Sequence, residues 1–140
     1  MIVVDTNVIS EPLRKAPDTR VIEWIDAQPL EILYLSAITV AELRFGAASL
    51  PVGKRHDRLR HSLETEVLPL FTGRVLAFDL PASRSYADLM SKARKAGLSV
   101  ATADGYIAAT AAANGMTVAS RDTAAFEATG VAVINPWHRT

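Results

Sequence analysis

The sequence predicts an α/β fold: a mainly parallel sheet of about five strands with helices on both of its faces. Two observations predict it. Short β-branched runs alternate with longer amphipathic or Ala-rich stretches along the whole chain, the pattern of βαβ units. The length, 140 residues, is that of a single domain (1–140), and 49% hydrophobic content supplies a sizeable core.

Each element has its own local signal. Ile2-Val3-Val4 reads as a strand ending at Asp5, with Asp5, Thr6 and Asn7 as a turn or helix cap. Asp18 caps a helix carrying Val21, Ile22 and Ile25 on one face and stopping at Pro29. Ile32 to Leu35 is a second strand, and Ser36 to Thr39 lead into a helix over Val40 to Ala48. Pro51-Val52-Gly53 is a loop before an exposed amphipathic helix over Lys54 to Leu68, with Leu59, Leu63, Val67 and Leu68 on one side. Val75 to Phe78 is the third strand, and a helix from Pro81 stops at Gly97. Ala101 to Asn114 is an Ala-rich helix ended by Gly115, before strands at Thr117–Ser120 and Val131–Ile134.

Composition narrows the chemistry. Without Cys there is no disulfide scaffold, thiolate metal site or thiol nucleophile. Lys+Arg 15 against Asp+Glu 15 rules out a globally basic nucleic-acid coat, so any such contact needs a local patch. No apolar run reaches about 18 residues and no basic leader precedes the first strand, which together suggest a cytoplasmic protein. The basic groups Lys54, Arg55, Arg58, Arg60 and Arg84, Lys92, Arg94, Lys95 read first as solvated faces, and otherwise as phosphate contacts.

Most of the fifteen acids have polar neighbours, and four stand apart. Asp5 closes the first strand, at the sheet edge where α/β ligand sites form, although it can equally cap the next helix. Glu42 lies in Ala37-Ile38-Thr39-Val40-Ala41-Glu42-Leu43-Arg44-Phe45, apolar around most of its circumference. It is therefore expected to be buried, paired with Arg44 or functional. Asp104 opens a helix that carries no other charge through Asn114, and Asp122 follows the strand Thr117–Ser120. Both read as N-caps when taken alone. Should the four converge, two carboxylates about 5 Å apart repel by roughly 3 kcal/mol at an effective dielectric near 20. Either their pKa values rise or a divalent cation sits among them. An all-oxygen set favours Mg2+ or Mn2+, and so metal-assisted phosphoryl chemistry.

Competing uses of the same acids lose essential groups. A haloacid-dehalogenase-type phosphatase needs a second Asp where Asn7 stands, and a two-component receiver needs a late Lys where none follows Lys95. No Ser lies in a Gly-x-Ser-x-Gly elbow, the glycines form no phosphate loop, and His56, His61 and His138 fall in charged or terminal stretches.

Asp5-Thr6-Asn7-Val8-Ile9-Ser10-Glu11-Pro12, Thr39-Val40-Ala41-Glu42-Leu43, Ala103-Asp104-Gly105-Tyr106-Ile107-Ala108-Ala109-Thr110 and Ser120-Arg121-Asp122 together resemble a PIN domain, in order and over essentially the full length. More narrowly the chain is similar to VapC-type toxins of toxin–antitoxin pairs, FitB-like branch, which the terminal Asn135-Pro136-Trp137-His138 also resembles. The resemblance implies a three-layer α/β/α sandwich. It also implies a single pocket in which Asp5, Glu42, Asp104 and Asp122 serve as catalytic and metal ligands for Mg2+ or Mn2+. Thr6, Asn7 and Ser120 match supporting positions. The implied activity is endoribonuclease cleavage of RNA phosphodiesters by a metal-activated water.

Arg121 departs from the family, where Asn commonly stands. It would either neutralise the pocket or hold a substrate phosphate. Implied partners are RNA, a second copy in a homodimer, and a ribbon-helix-helix antitoxin through which operator DNA is bound. Val21, Ile22 and Trp24 are candidates for the dimer surface, and core packing is the alternative for them. The alternative function is a catalytically weak or silent subunit that dimerises the antitoxin and so strengthens operator binding.

Overall fold

The computed structural model describes residues 1–138, and its core is a five-stranded sheet in the order β3-β2-β1-β4-β5, parallel throughout. The strands are β1 (Ile2–Val4), β2 (Leu33–Ser36), β3 (Val75–Leu76), β4 (Thr117–Ala119) and β5 (Val133–Ile134). The helices are α1 (Thr6–Ser10), α2 (Thr19–Ala27), α3 (Ala37–Ala48), α4 (Lys54–Ser62), α5 (Leu80–Lys95), α6 (Thr102–Ala113) and α7 (Thr123–Ala128). Among the described residues no helix is long and apolar enough to cross a membrane.

Side chains alternate across a strand, and that period divides the core in two. Ile2, Val4, Leu33, Leu35 and Ala119 face a layer formed by α1, α2, α3 and the segment after α4, with Val8, Val21, Leu43, Leu63 and Phe71 filling it. Val3 and Val118 face the other way, onto Leu89 of α5, Ile107 to Ala109 of α6 and Phe126 of α7. The result is the expected three-layer sandwich. Each fully buried Val, Leu or Phe in it contributes about 1.5–3 kcal/mol. Val21 is wholly buried in its own core and so is not a dimer contact, while Trp24 packs partly buried against the same core.

Helices α5 and α6 pack closely because α6 carries Gly105: a Cβ there would stand 2.7 Å from Sδ of Met90 and 3.1 Å from Cε2 of Tyr86. Tyr86 and Tyr106 pack with Phe78, ring centroids 4.8 to 6.1 Å apart.

Several local expectations change. The expected helix over residues 54–68 is α4 followed by a π turn (Leu63–Val67) and a 3-10 turn (Leu68–Phe71), because Pro69 at the start of the latter cannot continue an α-helix. β3 stops at Leu76, and Phe78 joins the aromatic cluster instead. α3 begins at Ala37, three residues early, because Ser36 caps it: its Oγ accepts from the Thr39 N–H at 3.1 Å. α3 is also not buried all round. Thr39, Leu43 and Ala47 face inward at i, i+4 and i+8, while Ala41, Glu42, Arg44 and Phe45 are exposed, since the sheet covers a single side of it.

The chain runs β1, β2, β3 outward in one direction, then returns to place β4 on the other side of β1. The strand order therefore reverses between β1 and β4. A parallel sheet opens a crevice at the carboxyl ends of the two strands flanking such a switch point.

Candidate active site

Asp5 follows β1 directly and extends the ladder, its N–H donating to the Ala119 carbonyl at 2.9 Å. Its carboxylate is buried at 3% exposure and does two things. Oδ1 accepts from the Thr6 N–H at 2.8 Å, capping α1, and Oδ2 accepts from the Ser120 hydroxyl at 2.7 Å. Burial pushes its pKa up; the bonds from Ser120 and Thr6 pull it down, and the charges of Glu42 and Asp122 raise it again.

Ser120, wholly buried at the end of β4, is the hub behind the site. Its hydroxyl donates to Asp5 and accepts from the Asp122 N–H at 2.9 Å and the Asn7 amide at 3.3 Å. Asn7 Oδ1 accepts in turn from the Arg121 N–H at 3.2 Å. The loop bearing Asp122 is thereby fixed to the start of α1.

Asp122 occupies the N-cap position of α7, yet its side chain makes no capping bond. It stands near the Asp104 carboxyl, whose pKa its charge raises. Asp104 is not a cap either: α6 begins at Thr102 with Ala101 before it, which puts Asp104 in the first turn, half-buried and facing the other acids. Its pKa is pushed up to about 6 by burial first, then by the charges of Asp5 and Asp122, the bond to Asp122, and the charge of Glu42.

Glu42 corrects the expectation of burial. It is exposed on α3, with Oε1 accepting from the Thr6 hydroxyl at 2.7 Å. The same hydroxyl lies 3.3 Å from that of Thr39, which ties α1 to α3. Arg44, the cation expected to pair with Glu42, reaches Glu64 instead at 2.8 and 3.1 Å.

The four acids thus come from four segments to one sheet edge, where the charges of Glu42 and Asp122 raise the pKa values of both Asp5 and Asp104. Among the described residues no three acidic or histidine side chains form a ready-made metal cage. Like charges repel, and burial together with the charges of Asp5, Asp122 and Glu42 raises the pKa of Asp104. The chemistry of the set suits a hard divalent cation: carboxylate oxygens of mixed exposure, one of them anchored by two hydrogen bonds.

The family model described as PIN domain matches residues 2–131. The chain belongs to the PIN domain family. Over nearly its whole length it is similar to two curated PIN relatives. The VapC ribonuclease Y4jK of Sinorhizobium fredii is 63% identical over 137 residues, 98% of each chain. Toxin FitB of Neisseria gonorrhoeae is 56% identical over 138 residues, 99% of each. A solved structure of FitAB bound to an IR36 DNA fragment superposes with a TM-score of 0.97 at 55% identity, covering 100% of this chain and 98% of that one.

Two features of this PIN domain escape a reading of its sequence. Glu11 is buried at 4% exposure, accepting from the Asp18 N–H at 3.0 Å and from Arg14, so it clamps the turn between α1 and α2. The Pro beside it marks the turn, but nothing local marks the carboxylate as buried. Ser36 and Thr39, wholly buried at the end of β2 and start of α3, complete the polar shell through Thr6. The Arg121 guanidinium, beside Asp122 in the chain, lies over the Trp137 ring at 5.1 Å from the centroid.

Proposed function

We propose that this PIN domain is the toxin of a toxin–antitoxin pair and a Mg2+- or Mn2+-dependent endoribonuclease. One observation carries the reading. Asp5, Glu42, Asp104 and Asp122, distant in sequence, are electrostatically coupled at the switch point of a parallel sheet, with Asp104 pushed up to about 6. A fold that needed only helix caps there would gain nothing from setting carboxylates against one another, because such repulsion destabilises it.

In this reading the four acids hold the cation and Thr6, Asn7 and Ser120 hold the acids. A bound divalent cation supplies the charge that activates water and steadies a phosphodiester. Asp5, pinned by Thr6 and Ser120, is the fixed ligand, while Glu42 and Asp122 on the exposed side have room to adjust. Asp104, its carboxyl raised to about 6, ionises as pH rises through that value, so the donor set gains charge. Similarity to a VapC ribonuclease supports RNA as substrate. Similarity to toxin FitB, and to FitAB bound to a DNA fragment, supports an antitoxin partner and DNA bound in the complex; operator DNA and a homodimeric toxin are what the family resemblance implies. The silent-subunit alternative leans on the zero net charge and on Arg121, whose guanidinium lies over Trp137, and the clustered acids favour the nuclease reading over it.

The test is cleavage of RNA by the purified chain with Mg2+ or Mn2+, beside Asp5→Asn. The expected result is metal-dependent cleavage that the substitution abolishes. Absence of cleavage with both metals, or equal cleavage by the variant, would overturn the reading.

A further inference from the structure

Arg121 precedes Asp122 and borders the acidic site. Its backbone is fixed by Asn7, its side chain is exposed, and it forms no ion pair among the described residues. An aromatic ring supports its guanidinium. Trp137, itself 4% exposed, lies beneath it at 5.1 Å, and the Trp137 backbone N–H donates to the Asn135 side chain at 2.9 Å, which fixes the ring's own segment.

A guanidinium held over an aromatic ring keeps N–H donors for a partner, and it loses less freedom on binding than an unsupported side chain. Its fork matches two phosphate oxygens. Placed inside the acidic cluster, the same group would compete with a cation; placed beside it, the cluster and the arm can engage neighbouring phosphates of one strand.

We propose that Arg121 is a braced arm that binds an RNA phosphate next to the one at the acidic site, with Trp137 as its positioning residue. The proposal rests on the RNA-cleaving reading above for the identity of its ligand. It makes Arg121 a determinant of substrate affinity rather than of the chemical step.

The test is fluorescence anisotropy with a labelled single-stranded oligoribonucleotide in EDTA, where binding is read without metal-dependent cleavage, across a range of salt. Arg121→Ala is expected to weaken binding roughly tenfold, within the range of a hydrogen bond to a charged group. It should also flatten the dependence of log affinity on log salt by about 0.7, the loss of one phosphate contact on a single strand. Trp137→Phe keeps the apolar bulk on a weaker cation-binding face, so an intermediate loss with an unchanged salt slope is expected. An unchanged affinity and salt slope in Arg121→Ala, or binding by Trp137→Phe as tight as that of the wild type, would overturn the proposal. RNA that binds through Arg121 yet is never cut with either metal would defeat the nuclease reading and leave this one standing.

Discussion

Asp104→Asn isolates the tension inside the site. The asparagine keeps the size of the side chain, offers an N–H to Asp122, and removes one charge. Holding a carboxyl at about 6 instead of its ordinary 3.8 corresponds to ~3 kcal/mol at most. Asp104 is only half-buried, so solvent screening reduces this to about 1 kcal/mol. The sign follows from linkage. A raised carboxyl contributes stability that is fully present below pH 3.8 and lost as pH rises through about 6, because the folded state then carries a charge it disfavours. The metal-free wild-type chain should therefore lose about 1 kcal/mol over that window relative to Asp104→Asn. At pH 7.5 the variant should melt about 3 °C higher, and near pH 4 the two should coincide. Thermal unfolding of both chains in EDTA across this range measures the difference, and titrations remote from the acidic site cancel in the comparison. Added Mn2+ should reverse the order, raising the wild-type midpoint by about 2.7 kcal/mol equivalent at a hundredfold excess over Kd and the variant far less. A variant no more stable at pH 7.5, or a difference independent of pH, would refute the claim that these acids are set against one another.

Ser120→Ala removes the hydroxyl that serves Asp5, Asp122 and Asn7. A loss of about 2 kcal/mol in urea unfolding is expected. It should be larger at pH 7 than at pH 4, since the lost bond to Asp5 lowered that pKa and its absence raises it further. Gly105→Val should cost more than 2 kcal/mol by driving a side chain into Met90 and Tyr86, where a Cβ already stands 2.7 and 3.1 Å away. An unchanged melting midpoint would contradict that close approach of α5 and α6.

The sequence alone determined what local physics can determine. β-branched runs at Ile2–Val4 and Thr117–Ala119 set β1 and β4, and so put Asp5 and Asp122 just past two strand ends. Gly97 and Gly115, with φ of 75° and 65°, stop α5 and α6 because a side chain disfavours that backbone. These signals act over a few residues, which is why they can be read from the chain. Tertiary structure decided the rest. That β4 returns to the far side of β1, and so brings four acids to one edge, is a property of strand order and not of any segment. Nothing local makes Glu42 exposed and Glu11 buried: the first depends on which side of α3 the sheet covers, the second on the turn folding back over it. Asp104 and Asp122 each looked like a cap until each became the other's neighbour, and Arg121 found Trp137 only after the chain had crossed the sheet. Electrostatic and packing energies depend on distance through space, which the fold sets and the order of residues along the chain does not.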